Sequence, residues 1–185
     1  MSDSPAAKIV GLALLILYPL LIYFGLKYFD PRWVSGAMFL LLGWKLLDRR
    51  APRKSTLGFA AALLLATALT LYTGSDYGLL LYPVLVNFFL LVIFMNSYLN
   101  PPSIIETIAR LREPELPPQA VAYTRKVTLA WCAFFLLNGA ISAFTLTLER
   151  EYWVLYNGCI AYLLMGALFL GEFILRQRVK EKHRA

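Results

Sequence analysis

The chain has 185 residues, of which 59% are hydrophobic and 16% charged, and its formal net charge is +7. Soluble domains carry about 25% charged and about 45–50% apolar residues, so this composition excludes an ordinary water-soluble enzyme or binding module. The basic residues fall in short clusters between apolar runs, which suits anionic lipid headgroups and excludes a continuous nucleic-acid-binding face.

The expected fold is an all-α membrane protein, a single integral membrane domain over residues 1–185. A helix that crosses the hydrocarbon needs about 17–25 mostly apolar residues. The first candidate span, residues 9–29, reads IVGLALLILYPLLIYFGLKYF. It is longer than a signal-peptide core and no small-residue cleavage site follows it, so it is expected to remain as an anchor. The second, residues 33–47, is the shortest, covering about 22 Å at 1.5 Å per residue against a hydrocarbon core of about 30 Å. Snorkelling of Lys45 makes up part of that gap. The third span covers residues 56–73, where Gly58, Ala62, Ala66 and Thr70 recur every four residues. Small residues at that spacing form a helix-packing seam, within the bundle or in a homodimer. The fourth covers residues 77–99 around Pro83, the fifth 127–146 and the sixth 152–175. A basic tail occupies residues 176–185.

Lysine and arginine set the orientation. With six spans, one side holds Lys8, Lys45, Arg49, Arg50, Arg53, Lys54, Arg110, Arg112, Arg125, Lys126, Arg176, Arg178, Lys180, Lys182 and Arg184, against Lys27, Arg32 and Arg150 on the other, a ratio of 15 to 3. Both termini are then cytoplasmic. A re-entrant second segment gives five spans and a ratio of 16 to 2, so charge does not choose between the two topologies.

The connection at residues 100–126 is the one sizeable segment outside the spans. Ser103 followed by Glu106 is a capping box. The short helix it starts has Ile104, Ile105, Ile108 and Leu111 on one face and Glu106, Arg110 and Glu113 on the other, the pattern of an interfacial amphipathic helix. Ser103, Glu106, Arg110, Arg112 and Glu113 form a candidate docking loop for a cytoplasmic partner, or a membrane-hugging connector. Pro114, Pro117 and Pro118 break the chain, and a new helix from Pro118 runs through Tyr123 and Arg125 into the fifth span.

Polar groups inside the spans are the candidate intramembrane site. Asn87 and Asn138 lie about 15–17 Å deep by residue count, close to the midplane, where they can hydrogen-bond between helices. Asn96 and Asn157 fall nearer the inner and outer surfaces. Glu172 lies near the inner end of the sixth span, four residues before Arg176, with which an i,i+4 pair is available. The alternatives for these residues are interhelical packing and a polar substrate path. Cys132 and Cys159 differ in depth, which argues against a disulfide. There is no P-loop, no G-x-S-x-G, no H-E-x-x-H and a single histidine, so no catalytic residue, metal site or cofactor is expected.

The stretches TALTLYTGSDYGLLLYPVLVNFF, ARLREPELPP and VTLAWCAFFLLNGAISAF followed by YWVLYN resemble the septation protein A layout across residues 30–175. That resemblance implies a small bacterial inner-membrane protein of cell-envelope upkeep. NPPSIIETIARLREPELPP and LYNGCIAYLLMGALFLGEF are similar to an uncharacterised bacterial membrane-protein family whose genes accompany aryl polyene, fatty-acid-type biosynthesis clusters. Together they imply a non-enzymatic scaffold or accessory factor in envelope or lipid-like product assembly. Its partners would be membrane lipids and biosynthetic or envelope proteins, with no nucleic acid. The alternative is a small transporter or lipid flippase with a polar groove between the helices.

Overall fold

A computed structural model describes residues 53–182 except Arg112, with isolated positions between Phe24 and Gly36, and its side chains chiefly from Leu64 to Gln177. The expected first and second spans, the seam positions Gly58 and Ala62, and Arg112 lie outside these described parts. The helices are α1 (Arg53–Thr73), α2 (Tyr77–Leu80), α3 (Tyr82–Leu99), α4 (Ile104–Arg110), α5 (Pro118–Thr145), α6 (Arg150–Leu155) and α7 (Ala161–Lys182). A π-helical turn, Tyr156–Ile160, joins α6 to α7. No strand occurs among the described residues.

Three helical stretches, Tyr82–Leu99, Pro118–Thr145 and Arg150–Gln177, are long and apolar enough to cross a membrane, with lengths of 18, 28 and 28 residues. They overlap the expected fourth, fifth and sixth spans, the first of them starting at Tyr82 rather than at residue 77. The apolar part of α1 among the described residues is Leu64–Thr73. Pro118 starts α5 as expected, because the first helical position leaves its N–H unused and the ring fixes φ in the helical range.

The polarity of the bundle is inverted relative to a soluble protein. Leu136, Leu137, Phe144, Leu163, Leu170 and Phe173 are exposed, whereas Asn87, Asn138, Asn157, Ser142 and Thr145 are buried. Apolar side chains outward and hydrogen-bonded polar groups inward are what a hydrocarbon solvent favours.

The most extensive packing joins α3 to α5. Val127, Trp131 and Phe135 on α5 form a buried core, against which Leu90, Phe94, Ile105 and Met165 pack. Trp131 and Phe169 meet edge to face at 4.6 Å between ring centroids, and Phe94 meets Phe135 at 5.0 Å. Aromatic pairs of this geometry contribute about 0.5–1.5 kcal/mol beyond the area they bury.

A second centre holds the opposite end of the bundle. Leu79 and Trp153 are fully buried against one another. Helices α2 and α3 are interrupted at Leu81, since Pro83 has no N–H to give the Leu79 carbonyl. Beside this break the Trp153 indole N–H donates to the Leu80 carbonyl at 3.1 Å. Arg150 forms an ion pair with Asp76, tying the start of α6 to the turn before α2. The described members of the small-residue seam, Ala66 and Thr70, are fully buried and serve the bundle itself. Gly78 lies directly on them, and a Cβ there would clash with the Ala66 carbonyl oxygen and the Thr70 hydroxyl.

Candidate functional site

The polar residues of the spans converge on one buried relay. Asn138 Nδ2 donates to Asn87 Oδ1 at 3.0 Å, linking α5 to α3. Asn87 Nδ2 donates to the Pro83 carbonyl at 2.8 Å, and Tyr156 OH donates to Asn138 Oδ1 at 2.8 Å. The direction of this relay is determined by its end. A backbone carbonyl only accepts, so the Asn87 amide nitrogen must face Pro83 and its oxygen must face α5. Asn138 must then present its nitrogen to Asn87 and its oxygen to Tyr156, which leaves the phenol as donor.

A second cluster adjoins the first along α5. Ser142 Oγ donates to Asn157 Oδ1 at 2.8 Å, while Asn157 Nδ2 donates to the Trp153 carbonyl at 3.0 Å and to Thr145 Oγ1 at 3.3 Å. Thr145 Oγ1 in turn donates to the Ser142 carbonyl at 2.7 Å. Every group here is neutral, and Asn87, Asn138 and Asn157 are exposed by only 7%, 5% and 5%. Buried amides with such partners avoid the penalty of lone polar groups in an apolar medium.

Two local features place these side chains. Gly139 lets α5 approach α3 closely, since a Cβ on it would stand 3.1 Å from the Asn87 Cβ. The π-helical turn contains both Tyr156 and Asn157 and turns these consecutive residues inward. Such one-residue expansions of a helix recur at functional sites.

Beside the relay runs a groove with a volume of about 340 Å³, bounded by α3, α5 and α7 and by α4 at one end. Asn87, Asn138 and Asn157 border it at one level, Leu90, Phe94, Trp131, Phe135, Met165 and Phe169 form its walls, and Ile105 and Ile108 lie at the α4 end. Ligand pockets commonly measure about 300–1,000 Å³, are mostly apolar and carry a few convergent polar groups.

The other expected site residues are placed elsewhere. Glu172 borders a separate cavity of about 60 Å³ with Tyr123, Glu113 and Arg176, large enough only for a few waters. Glu172 and Arg176, both described, form no direct ion pair; the Glu172 carbonyl instead accepts from Tyr123 OH at 3.3 Å. Asn96 is exposed and its Oδ1 accepts from Asn100 Nδ2 at 3.1 Å, outside the relay.

The docking loop divides into two halves. Ser103 Oγ accepts from the Glu106 N–H at 3.3 Å, as a cap should. Glu106, expected on the polar outer face, is instead buried. Its Oε1 takes hydrogen bonds from Arg110 Nε at 2.9 Å and Nη2 at 2.8 Å, and this pairing offsets the cost of burying the carboxylate. Arg110 Nη1 also donates to the Pro114 carbonyl at 3.0 Å, which closes the loop on itself. Ile108, Leu111 and Glu113 are exposed and Arg110 is half-buried, whereas Ser103 and Glu106 are buried and hold α4 to the bundle.

Both cysteines are free, Cys132 buried and Cys159 exposed. Among the described residues no group of three His, Cys, Asp or Glu side chains stands together as metal ligands would. Sequence reasoning missed Tyr156, Ser142 and Thr145. The signal for the last two is their spacing: Asn138, Ser142 and Thr145 stand at i, i+4 and i+7, one face of a helix. No family model, curated protein or solved structure matches the chain.

Proposed function

We propose that this chain is a non-catalytic, multi-pass protein of a bacterial inner membrane, with both termini cytoplasmic, that holds one lipid-like chain in its groove during envelope or lipid-product assembly. The observation that carries this reading is the groove itself, about 340 Å³ of apolar wall beside a neutral amide relay. Its walls suit an acyl or polyene chain, and α4, which borders it, belongs to the loop where a cytoplasmic biosynthetic partner would hand over a product. The similarity of residues 100–118 and 155–173 to a family associated with fatty-acid-type biosynthesis supports the same reading, as does the basic excess around the cytoplasmic loops.

Native mass spectrometry of the protein purified in mild detergent tests the proposal. The wild type should carry one bound lipid-like molecule, and the groove-filling variants Val86→Trp and Met165→Trp should lose it while remaining folded. Wild-type protein free of any retained lipid, or variants that retain it fully, would overturn the reading.

One observation favours a second reading, a transporter or flippase. Polar groups continue from Asn87 and Asn138 through Asn157 to Thr145, close to the turn that ends α5. Such a row would offer a polar head hydrogen-bond partners beyond the groove. Reconstitution in liposomes with a fluorescent lipid separates the two: a passive holder leaves the leaflet distribution unchanged, and a flippase does not.

A further inference from the structure

We infer that the groove selects an uncharged, acylated ligand by a carbonyl oxygen, which accepts hydrogen bonds from the amide nitrogens of Asn87 and Asn138. The inference rests on the groove being a lipid site, as proposed above, and names the chemistry of its ligand.

Each asparagine amide has two N–H donors and one carbonyl oxygen. Asn87 uses one N–H on Pro83 and Asn138 uses one on Asn87, so each keeps a second. Asn157, by contrast, uses both of its N–H groups, on Trp153 and Thr145. The two amide oxygens of the relay already accept, from Asn138 and from Tyr156. A buried N–H without an acceptor is penalised more than a carbonyl with one lone pair idle. The unmet demand at the groove wall is therefore for an acceptor, at the level of two residues that both border the groove.

Charge restricts the acceptor further. None of the described residues that line the groove is ionisable at neutral pH; the lining consists of aliphatic and aromatic side chains, tyrosines and asparagines. A phosphate or carboxylate drawn to this depth would lose its hydration with no cation among the described lining residues to face it. An ester or amide carbonyl needs no counter-charge, and its acyl chain matches the walls formed by Phe94, Trp131 and Phe169.

The test uses the full chain in detergent micelles and two probes with the same brominated chain: a monoacylglycerol ester and the corresponding glycerol ether, which lacks the carbonyl. Bromine quenches tryptophan at close range, and the quenching that disappears in Trp131→Phe reports the groove. Each neutral hydrogen bond predicts roughly threefold to tenfold tighter binding of the ester than of the ether, so the wild-type ratio should reach at least that range. Asn87→Leu removes one of the two donors and should cut the ester preference by roughly threefold to tenfold without abolishing the binding of either probe. Equal affinities in the wild type, or an ester preference that Asn87→Leu leaves undiminished, would overturn the inference and leave the lipid groove standing. If neither probe quenches Trp131, the groove reading falls and the inference with it. The wild-type ratio of ester to ether decides even if a variant fails to fold.

Discussion

Trp153 and Leu80 are joined by a hydrogen bond from the indole to the backbone carbonyl, 3.1 Å long and 73 residues apart in the chain. It sits where Pro83 interrupts the path from α2 to α3, so one side chain both fills the core there and serves a carbonyl at the break. Trp153→Phe keeps much of the volume but removes the donor. Losing a hydrogen bond costs about 0.5–1.5 kcal/mol, and the lost ring adds to it. Thermal unfolding in detergent should show a clear fall in midpoint for Trp153→Phe and a small one for the exposed Trp33→Phe.

Two glycines should differ in their tolerance of a methyl group. At Gly78 a Cβ meets the Ala66 backbone as well as Thr70, and backbone cannot rotate away. At Gly139 it meets only the Asn87 side chain, its Cβ at 3.1 Å, where a few tenths of an ångström suffice. Overpacking costs about 1–3 kcal/mol, so Gly78→Ala should fall at the top of that range or beyond, and Gly139→Ala near the bottom. Gly139→Ala should nevertheless weaken lipid retention, because it pushes Asn87 away from Asn138. Unfolding midpoints and lipid occupancy, measured on both variants, check the order.

The relay predicts unequal losses at its two asparagines. Asn138→Leu strands both the Tyr156 hydroxyl and the Asn87 oxygen, whereas Asn87→Leu strands a single amide nitrogen of Asn138. Asn138→Leu should therefore be the more destabilising. The pair should also couple by about 0.6 kcal/mol in a double-mutant cycle, the average for polar contacts within membranes. Additive single and double variants would show that the bond contributes nothing.

Removing a hydroxyl should help elsewhere. Thr67 Oγ1 and Thr70 Oγ1 are buried and have no hydrogen-bond partner. Thr67→Val replaces an unsatisfied oxygen with a methyl group of similar shape, so it should be neutral or stabilising by up to about 1 kcal/mol. A substantial loss of stability in Thr67→Val would mean that the hydroxyl has a function that packing does not explain.

Several of these relationships were legible in the residues alone. Counting from the ends of the spans placed Asn87 and Asn138 at one depth, and they are hydrogen-bonded. Ser103 and Pro118 announced two helix starts through their capping chemistry. The inward turn of Tyr156 was hidden for a physical reason. In a span whose whole circumference is apolar, the 3.6-residue pattern that reveals a buried face in a soluble helix is absent. Glu106 misled for the opposite reason: its charge predicted exposure, but the Arg110 guanidinium allows the carboxylate to sit against the bundle.

The π-helical turn at Tyr156–Ile160 makes the identity of the groove wall a matter of chain length. One residue more or less in a helix rotates everything after it by about 100°. Ala161, Tyr162, Met165 and Phe169 face the groove only because that rotation has taken place. A one-residue deletion in this turn would exchange the whole wall in a single step, presenting side chains that now meet the surroundings and turning the present set outward. Ligand preference in this architecture can therefore change wholesale through one lost codon, with every other residue of α7 retained.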